Sequence, residues 1–219
     1  MTVVIRVKNE EQWIGAAIQS VVDHAPFSKL IIIDNNSTDD SIKVAKLFKH
    51  DTARETSERY LDMQIINIDD YTPGKALNMA ANICETKYLL ALSSHCEIVS
   101  LKSEAFDKIN DNCVAIFGKQ VPKYFGKKIS HKYIWSNYSN SSMYNMYSTL
   151  EDRYFFHNAF SAFNAKFLRK NPFDEELVGK EDRYWANDII SNGHRIFYDS
   201  SMVCYHHFTI NGNTWRGVD

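Results

Sequence analysis

No two of the four cysteines, Cys84, Cys96, Cys113 and Cys204, stand at C-x-x-C spacing, so neither a zinc knuckle nor a redox dithiol is written here. Each reads as a small buried hydrophobe; only Cys96 lies beside a motif with chemistry of its own. A strong charge of either sign is also lacking. The formal balance of −2 excludes the overall basic field that nucleic-acid binding needs. The opening Met1-Thr2-Val3-Val4-Ile5-Arg6 lacks a cleavable signal pattern, and no apolar run reaches membrane-spanning length. The expectation is a cytoplasmic protein with reduced thiols. What is present is enough apolar residue, 44% of 219, to cover a sheet in one domain, which argues against disorder.

Strand and helix signals alternate, the pattern of an α/β fold. Val3 to Val7 is a short apolar strand. Asn9-Glu10-Glu11-Gln12 then predicts a capped helix start, with Ile14, Ile18, Val21 and Val22 on one face. Leu30-Ile31-Ile32-Ile33 is a β-branched run, the mark of a buried strand. Asp34-Asn35-Asn36-Ser37-Thr38-Asp39-Asp40 follows it, at the strand end where open α/β sheets bind ligands. Ser37 is expected to cap a second helix carrying Val44, Leu47 and Phe48. Further strands are predicted over Met63 to Ile68, Tyr88 to Leu92 and Val114 to Phe117, with a helix over Ala76 to Ile83. Two βα units in succession imply a parallel, right-handed beginning and a doubly wound nucleotide-binding half.

The second half differs. His131 to Phe156 is crowded with aromatic, amide and hydroxyl residues without periodicity, including Tyr133, Trp135, Tyr138, Tyr144, Tyr147 and Tyr154. A long loop or irregular helical subdomain is expected, and its aromatic faces suit sugar rings as well as they suit ordinary packing. Glu181-Asp182-Arg183-Tyr184-Trp185-Ala186 opens a helix that stops at Asn192-Gly193; acidic residues there are favoured by the helix dipole even without a function. A last strand spans Arg195 to Tyr205 and ends in His206-His207.

Taken in order, the segments Val3 to Glu11 and Ile33 to Asp39 resemble the opening of the family-2 glycosyltransferases with the GT-A fold. Pro73-Gly74-Lys75-Ala76-Leu77-Asn78 and Leu92-Ser93-Ser94-His95-Cys96 are similar to a bacterial rhamnosyltransferase-like branch that builds surface polysaccharides. Gly118-Lys119-Gln120-Val121-Pro122, Asn158-Ala159-Phe160-Ser161-Ala162, Pro172-Phe173-Asp174-Glu175 and Glu181-Asp182-x-x-Trp185-Ala186 continue the likeness across nearly the whole chain. The resemblance implies one domain over 1–219. Its Rossmann-like, mixed and mainly parallel sheet would bind a nucleotide sugar in residues 1–120, with a small acceptor-side, catalytic half in 121–219.

It also implies roles. Asp182 would be the general base of an inverting transfer and Glu181 its orienting neighbour. Arg6, Asn9, Glu10, Asp34, Asn35, Lys75, Ser94 and His95 would hold the donor, short acidic and amide groups accepting from base and ribose. Lys119, Gln120, Asn158 and Trp185 would face a glycan or lipid-linked acceptor. The wider family carries an Asp-x-Asp motif whose last carboxylate binds a divalent metal; this chain has Ser93-Ser94-His95 there. A site of His95 and His206 would prefer Mn²⁺ to Mg²⁺, and a metal-independent mechanism, with protonated His95, Lys75 or Arg6 offsetting the diphosphate, stands beside it. Consecutive strand residues face opposite sides, so His206 or His207, not both, meets the site. His24, His50, His131, His157 and His194 read as surface or packing residues. The function expected is inverting sugar transfer in bacterial surface polysaccharide synthesis, at the inner face of the membrane or with a partner subunit. The alternatives are a polyprenyl-phosphate sugar transferase and a non-catalytic nucleotide- or glycan-binding module.

Overall fold

The computed structural model describes residues 1–49, 62–124, 129 and 133–216. β1 (Thr2–Val7) leads to α1 (Ile14–His24), β2 (Lys29–Asp34), α2 (Ser41–Lys46), β3 (Asp62–Asn67), α3 (Pro73–Ile83) and β4 (Tyr88–Ser93). Then follow β5 (Cys96–Ser100), β6 (Cys113–Lys123), the short β7 (Met143–Tyr144), β8 (Tyr147–Ser148) and β9 (Arg153–Tyr154), and β10 (Phe160–Asn164). α4 (Ala165–Lys170), α5 (Glu181–Ser191) and β11 (Arg195–His207) complete the described fold.

The sheet runs β3-β2-β1-β4-β10-β6-β11-β5, with β7 on β11. β3, β2, β1 and β4 are parallel and so are β6 and β11; β10 is antiparallel to both its neighbours and β5 to β11. The fold is therefore α/β with a mixed, mainly parallel central sheet. Helices cover both faces, which is why β1 and β2 read as unbroken apolar runs. Val3, Ile5, Leu30 and Ile32 pack with Ile14, Ile18 and Val21 of α1 on one side. Val4, Ile31 and Ile33 pack with Leu77 and Ala80 of α3 and with Trp185 and Ile189 of α5 on the other. Gly118 lets β6 pass its neighbours: a Cβ there would lie 2.6 Å from the Met202 carbonyl and 2.7 Å from Phe160.

Several local expectations are corrected. α1 begins at Ile14, not at an Asn9 cap, because Asn9 has φ +50° and the Glu10 carbonyl instead accepts from Trp13 and Ile14 in a turn. Ser37 caps nothing: its Oγ accepts from the Asn9 amide at 3.0 Å, and Asp39 Oδ1 takes the Ser41 amide at the start of α2. Leu47 lies beyond the end of α2 and is exposed. β5 and β10, both antiparallel, were outside the sequence-based expectation. The aromatic segment forms a short 3-10 turn, Ile134–Asn137, and the β8–β9 hairpin. All four cysteines are free and buried. Among the described residues no helix is long and apolar enough to cross a membrane; His50 and His131 lie outside those residues.

Candidate active site

A cleft of about 740 Å³ opens at the C-terminal ends of β1 and β4, the edge at which parallel sheets of this kind receive ligands. Arg6 reaches it from β1, and Lys8 and Glu10 from the turn after it. Ser93, Ser94 and His95 come from the β4–β5 connection, His157 and Asn158 from the approach to β10, and Glu181 and Asp182 from the first turn of α5. Asn35, Tyr71, Lys180, Arg183 and Arg216 complete the parts used below.

Glu181 and Asp182 are both buried. Burial raises the proton affinity of each above the ordinary carboxylate, and the Asp182 charge raises Glu181 further. Arg6 and the Asn158 amide oppose the rise at Glu181, and Arg153 and Arg183 oppose it at Asp182. Asn158 joins the two sides of the cleft. Its Oδ1 accepts from Arg6 Nη2 at 3.0 Å and its Nδ2 donates to Glu181 Oε1 at 2.7 Å. α5 follows two left-handed residues, Gly179 and Lys180, which turn the chain so that the helix starts at the cleft.

The histidines form a directed chain. The Ala159 amide can only donate, so His157 Nδ1 accepts from it at 3.3 Å and also from Gln120 Nε2 at 2.9 Å. Gln120 Oε1 therefore faces His206 Nδ1, at 2.8 Å, and accepts its proton. His206 Nε2 then accepts from His95 Nε2 at 3.1 Å, which leaves His95 Nδ1 3.3 Å from Glu10 Oε1, at ion-pair distance but off hydrogen-bond geometry. The alternation at the end of β11 holds: His206 is fully buried here, whereas His207 stacks on Trp13 at 4.1 Å and pairs with Glu97.

The separation of the two Nε2 atoms equals that of two neighbouring nitrogen ligands, roughly 3.0–3.4 Å apart when each is about 2.1 Å from one ion. The outer nitrogen of His206 has the hydrogen-bonded support that ligating imidazoles use, from Gln120, while that of His95 has only the nearby Glu10 carboxylate at 3.3 Å. Among the described residues no group of three or more His, Cys, Asp or Glu side chains is arranged to hold a metal. The donor set fits a cation as two nitrogens, the remaining positions falling to ligand oxygens and water.

Burial holds His157 down at about pKa 3, with the charges of Arg6, Arg153 and Arg183 adding to it, and burial holds His206 well below the usual histidine range. Both are neutral in the fold but titrate near 6.5 in the unfolded chain. The unfolded state therefore binds protons that the fold refuses, and stability is lost as pH falls from about 6.5 toward 3, by several kcal/mol. The raised Glu181 and Asp182 act in the opposite sense. Urea midpoints at pH 7.5, 6 and 5 should fall in sequence, and His157→Gln should flatten the pH slope by about one proton. An equally steep slope in that variant would contradict the assignment.

Arg6, Glu10, Asn35, Ser94, His95, Asn158, Glu181 and Asp182 are brought together in the cleft. Other candidates are elsewhere. Asn9 Oδ1 holds the Thr38 amide at 2.7 Å, Asp34 Oδ1 the Ser37 amide at 3.0 Å, and Lys75 Nζ the Asp69 carbonyl at 3.0 Å. These three shape the loops beside the cleft and do not line it. Lys119 bonds Asn140, and Gln120 is a buried link between histidines. Trp185 is core: its ring packs on Phe173, Phe163 and Phe156, and Nε1 donates to the Asn171 carbonyl at 2.8 Å. His157, expected at the surface or in plain packing, belongs to the site, and its place next to Asn158 was the available signal. Arg183, next to Asp182, and Lys180, Tyr71 and Arg216 were also missed.

The profile described as glycosyl transferase family 2 matches residues 2–177. The O-antigen chain rhamnosyltransferase WbaN of Salmonella anatum is 24% identical over 193 residues, 83% of this chain and 58% of that protein. Among solved structures, TarS 1–349 of S. aureus in complex with UDP-GlcNAc superposes with a TM-score of 0.69 at 17% identity, over 99% of this chain and 60% of that one. The mannosyltransferase PcManGT of Pyrobaculum calidifontis, in complex with GDP-Man and Mn²⁺, gives 0.65 at 15% identity, over 96% and 57%. The chain spans about three fifths of the length of these relatives.

Proposed function

This chain belongs to glycosyl transferase family 2, and we propose that it moves a sugar with inversion from a nucleotide diphosphate donor to a glycan or lipid-linked saccharide in bacterial surface polysaccharide synthesis. The observation that carries the reading is the buried Glu181-Asp182 pair at the start of α5, facing Arg6 through Asn158 in one cleft. Asp182 takes the acceptor hydroxyl proton, and its raised proton affinity suits a base working near neutral pH. The acceptor oxygen bonds the anomeric carbon as the bond to the diphosphate breaks, the electron pair leaving with the phosphate oxygen. Arg6, Lys180 and Arg216 line the cleft as cations for that leaving charge. The WbaN likeness and the UDP-GlcNAc and GDP-Man bound to structural neighbours support a nucleotide sugar as substrate.

In this reading residues 1–120 hold the donor and 121–219 the acceptor, and the protein works in the cytoplasm, where a lipid-linked acceptor brings it to the inner membrane face. His95 and His206 would hold a divalent ion, Mn²⁺ before Mg²⁺ because both donors are imidazole nitrogens. Bound there, such an ion supplies Lewis-acid stabilisation of the diphosphate.

Thermal unfolding of the purified protein against a panel of nucleoside diphosphates and their sugars, with Mn²⁺ or with chelator, tests both parts. One nucleotide should raise Tm by several degrees, since ligand at about 100 Kd adds roughly 2.7 kcal/mol to the native state. Mn²⁺ should enlarge that shift, and His95→Ala should remove only the Mn²⁺ increment. No shift with any nucleotide would turn the reading toward a glycan-binding module.

A further inference from the structure

We infer that Asn158 is a positioning residue of the transfer reaction, its amide holding Glu181 in a fixed orientation beside Asp182 so that the acceptor proton goes to Asp182. The inference rests on the reading of Asp182 as base. Asn158 is buried, and its side chain is committed to protein partners on both ends. That placement replaces the acceptor contact expected of it.

The orientation of the amide is determined by its neighbours. A guanidinium can only donate, so the atom facing Arg6 Nη2 is the amide oxygen and the atom 2.7 Å from Glu181 Oε1 is the amide nitrogen. That nitrogen can only donate, so Glu181 must present an unprotonated oxygen to it. Asp182 receives a weaker donor, the Asn158 backbone N–H at 3.4 Å. Of the two adjacent buried carboxylates, Glu181 alone has an oxygen held by a close side-chain amide donor, whereas Asp182 keeps the longer and looser contact. With Glu181 committed to Asn158, the carboxylate left free to turn toward an acceptor hydroxyl is Asp182.

The surroundings keep the two carboxylates distinct. Glu181 faces Arg6, Asp182 and the phenol of Tyr71; Asp182 faces Arg153, Arg183 and the phenol of Tyr138. Arg153 and Arg183 are themselves held by Glu151, at 2.5 and 3.6 Å. Asn158 thus passes the charge of Arg6, at the end of β1, to Glu181 on α5, and it is the only bonded bridge between those two elements among the hydrogen bonds of the described residues.

Asn158→Asp is the decisive variant, because it is nearly isosteric and keeps an oxygen for Arg6 but puts a third carboxylate where Glu181 needs a donor. With Asn158→Ser beside it, kcat and KM are measured from pH 5.5 to 9, folding being checked by circular dichroism. In Asn158→Asp we expect kcat to fall roughly 10- to 100-fold, donor KM to stay within about 3-fold, and the acid limb of the kcat profile to move up by about one pH unit. Asn158→Ser should lose kcat by about 10-fold with a smaller displacement of that limb. An unmoved acid limb in whichever variant folds would overturn the inference, as would an unchanged kcat with raised acceptor KM, which returns Asn158 to acceptor contact. Asp182→Asn is run alongside: if it turns over like wild type, the reading of the base has failed instead.

Discussion

Asp182→Asn should lower sugar transfer by roughly a thousandfold, within the 10²–10⁴ that a general base contributes. The carboxamide keeps the shape of the side chain and its place beside the Asn158 backbone but cannot take the acceptor proton. Nucleotide binding should survive within a few-fold, because the cleft groups on β1 and after β4, to which the proposal assigns the donor, are untouched. Stability should hold or rise, since the substitution removes one of two adjacent buried carboxylates whose charges burial disfavours. Single-turnover rates, nucleotide-induced thermal shifts and the anomeric configuration of the product by NMR check these points together. Wild-type turnover would take Asp182 out of the base role, and a product that retains the donor configuration would rule out single displacement.

Trp185→Ala carries the largest expected loss of stability, about 3–5 kcal/mol for removing a large buried aromatic. Its ring centroid lies 5.0, 5.5 and 5.6 Å from those of Phe173, Phe163 and Phe156. The Asn171 carbonyl would lose its indole donor as well. Urea unfolding monitored by far-UV circular dichroism measures the loss, and Trp185→Phe should recover most of the packing. Acceptor KM of the folded fraction should stay close to that of wild type. A fully stable Trp185→Ala protein with a raised acceptor KM would return the residue to the acceptor surface.

The parallel side of the sheet was legible because it is covered on both faces. Val3 to Val7 and Leu30 to Ile33 are continuous apolar runs only since helices bury both sets of side chains. Cys96–Ser100 was not legible: it follows β4 with two intervening residues and pairs with β11, over a hundred positions later, which no local pattern announces. Phe160–Asn164 was read as a motif and not as the antiparallel strand joining β4 to β6. Adjacency to a motif located Glu181 and Asp182 in the cleft but not Trp185, which lies in the core. Spacing along a helix fixes direction but not depth, and three residues after Asp182 the same helix is already in the core. Asn9, Asp34 and Ser37 are the residue types that bind ribose, but such side chains also bond their own loops, and here that is where their hydrogen bonds go. The histidine chain was half visible: His95 and His206 stood out by position, whereas Gln120 and His157 are linked to them only through the tertiary fold.

The way α5 is seated has a consequence for how this scaffold can be varied. Its first turn carries Glu181 and Asp182 while Trp185, Ala186 and Ile189 fasten the same helix to the sheet, so the acid pair is fixed to the scaffold. The facing walls are different: they come from the irregular stretch around Tyr133 and Ile134 and from the segment after β11 around Asn211 to Thr214. Such walls accept insertion and exchange at small thermodynamic cost. If the proposed transfer holds, the walls can be exchanged while the acid pair stays put, and a library that randomises those walls and spares α5 is the natural starting point for changing what the cleft accepts.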